Sequence, residues 1–410
     1  MEENKRLPQL CGPLDCTGCA ACASACPKDT IEMTAGTDGF LYPAVDGDRC
    51  VGCLVCEKTC PVINPIGAGG RSERPQVYAC WNLDPAVREE SSSGGAFSAL
   101  AETVIGQGGY VFGAAYDDHM TVRHRECHSR DQIELLRGSK YVQSQIGDTF
   151  RMVKRRLAEG AKVLFVGTPC QVSGLRAYLR RDYDNLYCCD FICHGTPSPL
   201  LFSKYLRWIE SKRGIKVAKF NFRHKKSGWY DAVRAANGRV WMKGDLDAYF
   251  LGFNRNVSLR ESCYNCPAIG LPRKGDITIA DFWGIGMMYK FDSPREIPNG
   301  VSLVMVNDEK GACLLDDAKP LLNWRPGHFD EALNRNKPMI KPSSRPAARD
   351  TFYGDMAALD FERLRLKYMR LSGKAKAIAL LRENAPRHCV TGLRRVVQYI
   401  TWKRNGSKGL

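Results

Sequence analysis

Eight of the nineteen cysteines in this 410-residue chain fall into two runs of identical spacing. The first is Cys16-x-x-Cys19-x-x-Cys22-x-x-x-Cys26-Pro27, and the second sets out Cys50, Cys53, Cys56 and Cys60-Pro61 in the same way. Three thiolates so spaced turn inward together on a short loop and take three corners of a [4Fe–4S] cluster, and the fourth cysteine of each run completes the other cluster. The expected pairing is therefore crossed: Cys16, Cys19 and Cys22 with Cys60, and Cys50, Cys53 and Cys56 with Cys26. Structural zinc generally uses paired C-x-x-C units, which these runs are not. Disulfides would need an oxidising compartment that nothing else in the sequence suggests.

Four more cysteines invite similar chemistry. Cys170 and Cys193 fall at or just past the ends of apolar runs that read as buried strands, and Cys263-x-x-Cys266 adds a pair on a loop. Open α/β sheets bind ligands beyond the C-terminal ends of their strands, so these thiols are candidates for a third cluster. Two other readings stay open: small buried thiols, or a redox-active C-x-x-C disulfide. Residues 91–95, three serines and two glycines ahead of a helical stretch, suit a phosphate cradle and equally an ordinary helix cap. Lys140 suits a phosphate, an electron-rich flavin edge, or solvent. His194 and Asp281 stand at strand ends where an acid or base serves, with a structural histidine as the alternative.

Positioning these groups requires a sizeable scaffold, and a chain this long with 44% hydrophobic residues can bury one. Residues 1–66 read as a ferredoxin-like module, and a Gly-rich linker follows to residue 75. From residue 76 strands and helices alternate. Apolar runs at 77–81, 110–116, 162–167 and 185–193 are strand candidates, separated by helices near 96–105, 132–136, up to 160, after 170, and at 199–212. Shorter strand-like runs follow at 216–223, 232–242, 276–280 and 301–306. The expected architecture is α+β and α/β: the two-cluster module, a mostly parallel α/β core over 76–350, and a basic helical tail over 355–410.

The net charge of +16 sits mainly in that tail, where residues 363–410 hold thirteen Lys/Arg and one acid. No nucleic-acid-binding signature accompanies the charge. The amphipathic piece with Leu393, Val396, Val397, Ile400 and Trp402 fits an anionic membrane surface or an acidic electron carrier, with a solvated helical cap as the plain alternative. The N-terminal residues are polar and lack a secretory apolar core, and no apolar run approaches the ~18 residues of a membrane span. A cytoplasmic protein is expected.

Taken together, Ser92-Ser93-Gly94-Gly95-Ala96-Phe97, residues 138–144, Gly167-Thr168-Pro169-Cys170-Gln171, Cys193-His194-Gly195, Cys263-x-x-Cys266 and the run Asp276 to Gly284 resemble the coenzyme F420 hydrogenase/dehydrogenase beta-subunit family. The resemblance covers residues 10–310, roughly. It implies an iron–sulfur flavoprotein whose α/β core holds FAD beside a [4Fe–4S] cluster. Cys170, Cys193, Cys263 and Cys266 then become the expected ligands of that cluster. Ser92, Ser93, Gly94, Gly95, Lys140, Tyr141, Gln143, Ser144 and Thr168 become the expected flavin-binding residues. The implied activity passes electrons from a low-potential, ferredoxin-like carrier through the clusters to FAD and on to an unidentified small molecule, with His194 and Asp281 as acid–base candidates. A non-catalytic electron-transfer subunit of a larger redox complex is the alternative.

Overall fold

The structure, a computed structural model, describes residues 6–67, 69–230, 233–242 and 246–373. The cysteine module is two copies of one device. Helices α1 (Ala21–Ala25) and α2 (Val55–Thr59) flank the hairpin of β1 (Ile31–Ala35) and β2 (Leu41–Val45). Each helix follows a left-handed residue, Ala20 or Leu54, and each ends at an extended cysteine that precedes proline, Cys26 or Cys60. The N–H groups of Gly18 and Gly52 donate to Cys16 Sγ and Cys50 Sγ, both over 3.4 Å. Repeated spacing has thus produced repeated geometry.

The core runs β3 (Gln76–Asn82), α3 (Pro85–Glu90), α4 (Ala96–Gly106), β4 (Tyr110–Tyr116), β5 (Val122–Cys127), α5 (Ile133–Leu136), α6 (Thr149–Ala158), β6 (Val163–Val166), α7 (Pro169–Leu179), β7 (Leu186–Phe191) and α8 (Pro199–Arg213). It continues through β8 (Phe220–His224), β9 (Val233–Ala236), β10 (Arg239–Met242), α9 (Ala248–Asn254), β11 (Ile277–Asp281), β12 (Ser302–Val306), α10 (Glu309–Ala318), β13 (Leu322–Pro326), α11 (Phe329–Arg335), α12 (Ala348–Ala358) and α13 (Phe361–Tyr368). Eight strands make one sheet in the order β13-β3-β12-β11-β7-β6-β4-β5. The middle run β11-β7-β6-β4 is parallel, and the strands flanking it pair antiparallel. The expected mostly parallel core is present, closed at one edge by the β4–β5 hairpin and at the other by β12, β3 and β13, which pair antiparallel across long sequence separations.

Burial explains why the parallel strands are near-continuous hydrophobic runs. Leu164 and Cys189 face the layer of α4 and α10, whereas Phe165 and Cys188 face that of α6 and α7. Both faces are therefore covered. The cysteine module extends the second layer: Cys19, Ala20 and Ala21 join the cluster of Phe150, Val172 and Leu175. Two core arginines hold its helix ends, where carbonyls lack intrahelical partners. Arg151 donates to the carbonyls of Ser24, Ala23 and Cys26, and Arg180 to Val55 O and Thr59 Oγ1.

The expected tail boundary near residue 355 falls inside α12. Phe352, Met356, Phe361 and Leu364 are buried with Phe202, Tyr205 and Ile209 of α8, so α12 and α13 belong to the body. The amphipathic piece from Leu393 to Trp402, and with it the expected membrane or carrier contact, lies outside the described residues. Among the described residues no helix is long and apolar enough to cross a membrane.

Gly94 shows how closely the loop before α4 approaches the sheet. A Cβ there would lie 2.2 Å from Cys80 O and 2.7 Å from Ser302 N. Gly94→Ala should lower stability by about 3 kcal/mol or more, since only backbone can yield. Gly106→Ala, at the last residue of α4 where a Cβ would meet only Arg130 Nη2 at 3.8 Å, should be neutral or stabilising by up to ~1 kcal/mol. Urea unfolding of the two variants beside the unsubstituted chain checks the contrast.

Candidate functional site

The C-terminal ends of β4, β6, β7 and β11 open into a cavity of about 750 Å³. That volume is typical of small-molecule and cofactor sites. Cys170 stands in the first turn of α7, which Thr168 starts with a capping box: its hydroxyl accepts from Gln171 N while Gln171 Oε1 accepts from Thr168 N. Cys193 and His194 follow β7, and Cys263 and Cys266 come from the loop before β11. All four thiols line the cavity.

They are close enough to repel one another as thiolates. Burial, then Cys266, Cys193 and Cys263, push the Cys170 thiol well up. Burial, then Cys263 and Cys266, raise Cys193, and burial raises Cys263 to about 11 and also raises Cys266. Four half-buried thiols on one cavity wall are a poor arrangement for free side chains. They suit a centre whose positive iron makes each of them a thiolate. Among the described residues no three His, Cys, Asp or Glu side chains converge on a single metal ion. A cubane asks for something different, one thiolate on each of four irons. The donor set fits a [4Fe–4S] cluster.

The N-terminal cysteines fall into two neighbourhoods. Cys22 senses Cys19, Cys16 and Cys60, while Cys56 senses Cys26 and Cys53. Cys53 is exposed, and the other ligand candidates are buried or half-buried. Cys11, outside both runs, has its Sγ 3.8 Å from Cys60 Sγ. It is a fifth thiol beside one set, which its sequence position gave no sign of.

The two halves of the chain meet at the thiols. A Cβ on Gly174, one turn after Cys170, would lie 2.8 Å from Cys19 Cβ and 3.0 Å from its Sγ. Arg260 donates to Cys16 O over 2.6 Å and to Gln143 Oε1 over 2.9 Å, and Gln143 Nε2 donates to Thr17 O. Ser262 adds a bond to Cys16 O. Gln143 is therefore a joint between module and core as well as a cavity residue.

Of the other expected flavin residues, Ser92, Ser93, Gly95, Lys140, Tyr141, Ser144 and Thr168 line the cavity and Gly94 does not. Several have partners already. The Gly94 N–H donates to Ser302 Oγ, Ser93 Oγ donates to Val301 O, and Ser92 Oγ accepts from Ser139 N. Gly94 is a packing glycine, which corrects its place in the expected cradle. Gly95 begins α4 as its left-handed N-cap. Lys140 needs the larger correction. Its ammonium reaches the carbonyls of Leu135, Leu136, Arg137 and Gly138, capping the end of α5, and burial lowers its pKa to about 7. It is neither a solvated lysine nor a free phosphate ligand. Tyr141 accepts from Arg223, and its ring meets those of Phe222, Phe250 and Phe253.

Ser144 donates to His124 Nδ1 over 2.8 Å and accepts from Gln171 Nε2 over 3.1 Å, while His124 Nε2–H donates to Val166 O. Burial lowers His124 to about 4, so this ring is neutral and fixed in one tautomer. His194 lines the cavity with Nε2–H bonded to Asn256 Oδ1 over 2.7 Å. Burial outweighs that bond and holds its pKa below the ordinary value. Asp281 is a counter-ion: it accepts from Arg223 over 2.9 Å and from Trp229 Nε1 over 2.6 Å, under the stacked rings of Trp229 and Trp283. Its oxygens are occupied, which corrects the acid–base role expected from its strand-end position.

Sequence reasoning missed the charge of the cavity. Arg137, Arg223, Arg234, Arg260, Arg273 and Arg335 join Lys140 along its wall, and among the described residues Asp281 is the one acid there. These arginines come from separate loops and strands, so no local run of charge announces them.

Comparison with known proteins places these features. Residues 15–64 match the 4Fe-4S dicluster domain, and residues 160–322 match the family described as the C terminus of the coenzyme F420 hydrogenase/dehydrogenase beta subunit. The chain is 24% identical over 170 residues to a subunit of the F(420)H(2) dehydrogenase of Methanosarcina mazei, across 39% of this chain and 47% of that relative. The chain thus spans about half the length of that relative. It is 36% identical over 64 residues to the VorC subunit of ketoisovalerate oxidoreductase from Methanothermobacter marburgensis, across 15% of this chain and 81% of that one. A solved chain of the F420-reducing [NiFe] hydrogenase complex from Methanosarcina barkeri aligns at a TM-score of 0.43 and 16% identity, over 64% of this chain and 89% of that one. The chain thus carries a 4Fe-4S dicluster domain ahead of a domain that matches the C terminus of the coenzyme F420 hydrogenase/dehydrogenase beta subunit.

Proposed function

We propose that the chain is an iron–sulfur flavoprotein oxidoreductase that takes electrons from a low-potential carrier and passes them to a small molecule in the cavity, with FAD as the resident flavin. The observation that carries this reading is the succession of thiols along α7. Cys19 lies against Gly174, and Cys170 stands one turn earlier, about 6 Å along the helix, on the cavity wall. Cys53, exposed on the far set, gives a carrier its approach.

When bound, clusters carry single electrons and a flavin pairs them for a two-electron reduction. Cys26, Cys50, Cys53 and Cys56 would hold the first cluster, Cys16, Cys19, Cys22 and Cys60 the second, and Cys170, Cys193, Cys263 and Cys266 the third. The N–H groups of Gly52 and Gly18 favour the thiolates of Cys50 and Cys16. The basic wall favours an anionic nucleotide. Its phosphates would meet the first turn of α4 at Gly95 and Phe97, with the Ser92 hydroxyl and Arg137 beside them. The Trp283 ring offers a flat apolar wall, and His194 keeps its proton on Nε2 through Asn256.

The names of the relatives support a second reading, since both curated relatives are subunits of larger enzymes. A non-catalytic electron-transfer subunit would need its partner for turnover, whereas an enzyme would reduce a small molecule alone when given a reduced ferredoxin.

Prepared anaerobically, the protein should contain about twelve irons per chain, by the rule of four irons to four thiolates, and about one flavin. Cys263→Ser combined with Cys266→Ser should remove about a third of that iron and leave the dicluster signal in place. Unchanged iron in the double variant would refute the third cluster, and absence of flavin from the unsubstituted protein would refute the flavoprotein reading. Gly174→Val should push Cys19 away from α7 and slow flavin reduction by a reduced carrier at least about tenfold, read by stopped-flow absorbance. An unchanged rate would place the electron route elsewhere.

A further inference from the structure

Arg273 stands on the loop between the C-x-x-C pair and β11, and it is 1% exposed. Its Nη2 anchors the group, reaching Phe191 O at 3.1 Å and Asp190 Oδ1 at 3.2 Å. Asp190 is itself fully buried on β7 and is held by Thr278 Oγ1 and by Gly275 N. The other edge of the guanidinium is different. Nε and Nη1 are buried and have no hydrogen-bond partner among the described residues, although Arg273 is part of the cavity wall. Such N–H groups in a folded interior call for an acceptor. Among the described residues no polar side chain supplies one, and Cys193 and Cys266 line the same cavity as Arg273.

We propose that Arg273 is a positioning and potential-setting residue of the centre held by Cys170, Cys193, Cys263 and Cys266, with Nε–H and Nη1–H donating to the sulfur atoms of a [4Fe–4S] cluster. The inference rests on the third cluster proposed above. Hydrogen bonds to cluster sulfurs and the net charge nearby are two of the levers that set a cluster's reduction potential. Reduction adds one electron, supplied by the low-potential carrier, and no proton has to move. A fixed positive charge at the sulfurs stabilises the reduced form and raises the potential. That makes this centre the natural acceptor for electrons arriving through Cys16, Cys19, Cys22 and Cys60. Asp190 offsets part of the charge but holds the guanidinium by one nitrogen only, so Nε–H and Nη1–H stay available.

The test is potentiometry followed by electron paramagnetic resonance on the full chain. The signal of this centre is the one absent from the Cys263→Ser/Cys266→Ser variant. Arg273→Gln keeps an N–H donor and removes the charge. It should leave iron content unchanged and make the centre about tenfold harder to reduce, a midpoint about 59 mV lower for one electron. Arg273→Lys restores the charge and should recover most of that shift. An unchanged midpoint in Arg273→Gln would overturn the proposal. Loss of iron in both variants, with the dicluster signals intact, would overturn it too and leave Arg273 as the structural partner of Asp190. If the unsubstituted protein lacks the signal altogether, the third cluster fails, an outcome distinct from either of these.

Discussion

The structure depends on one close contact, that of the Cys16 to Cys19 loop with the first turns of α7 and the Arg260 side chain. Gly174 has no room for a Cβ because Cys19 occupies that space. Arg260, 1% exposed, reaches from the core to Cys16 O and, through Gln143, to Thr17 O. Each bond is short and removed from water, so losing one would leave a buried donor or acceptor unpaired, at about 1–3 kcal/mol each. The seat therefore does more than join two domains. It fixes Cys19 against α7, one turn from Cys170 on the cavity wall, and leaves Cys53 of the other set exposed.

Charge is distributed to the same end. The cavity wall is rich in arginine, yet much of that charge is already directed. Arg223 faces Asp281, Arg273 leans on Asp190, and Lys140 closes the end of α5. A wall of seven basic side chains, with Asp281 the one acid on it among the described residues, favours anionic occupants. Four thiolates and a nucleotide diphosphate would supply them. The neutral histidines fit the same picture: burial keeps protons off the second nitrogens of His124 and His194, so neither adds to the positive wall.

Much of this was legible in the sequence, and the parts that were not share a cause. The expected crossed cysteine pairing is local, written in spacings of two and three residues, and so is the repeated helix geometry of the module. β4 was readable from its ends inward because both of its faces are apolar. β5 was not, since Val122, His124 and Cys127 alternate with Arg123, Arg125 and Glu126 on a sheet edge that resembles a polar loop. β13 escaped notice because Asn323, Arg325 and Pro326 dilute a strand that only its pairing with β3 reveals. The convergence of Cys170, Cys193, Cys263 and Cys266 was accessible through the rule that parallel strands present their C-terminal ends together. The role of Lys140 is hidden because α5 is a single turn, too short to show that its terminal carbonyls need a cation. Arg260 and Arg273 act on residues far away in the chain, and spacing carries no trace of such contacts.

The central claim is that three sets of four thiols form one continuous series, with the cavity set nearest to Cys16, Cys19, Cys22 and Cys60. Low-temperature electron paramagnetic resonance of the fully reduced protein tests it most directly, because neighbouring reduced clusters couple magnetically. The account predicts a spectrum broadened by coupling in which Cys263→Ser/Cys266→Ser removes one interaction and leaves the dicluster coupling intact. A spectrum identical in the unsubstituted protein and the double variant would contradict it.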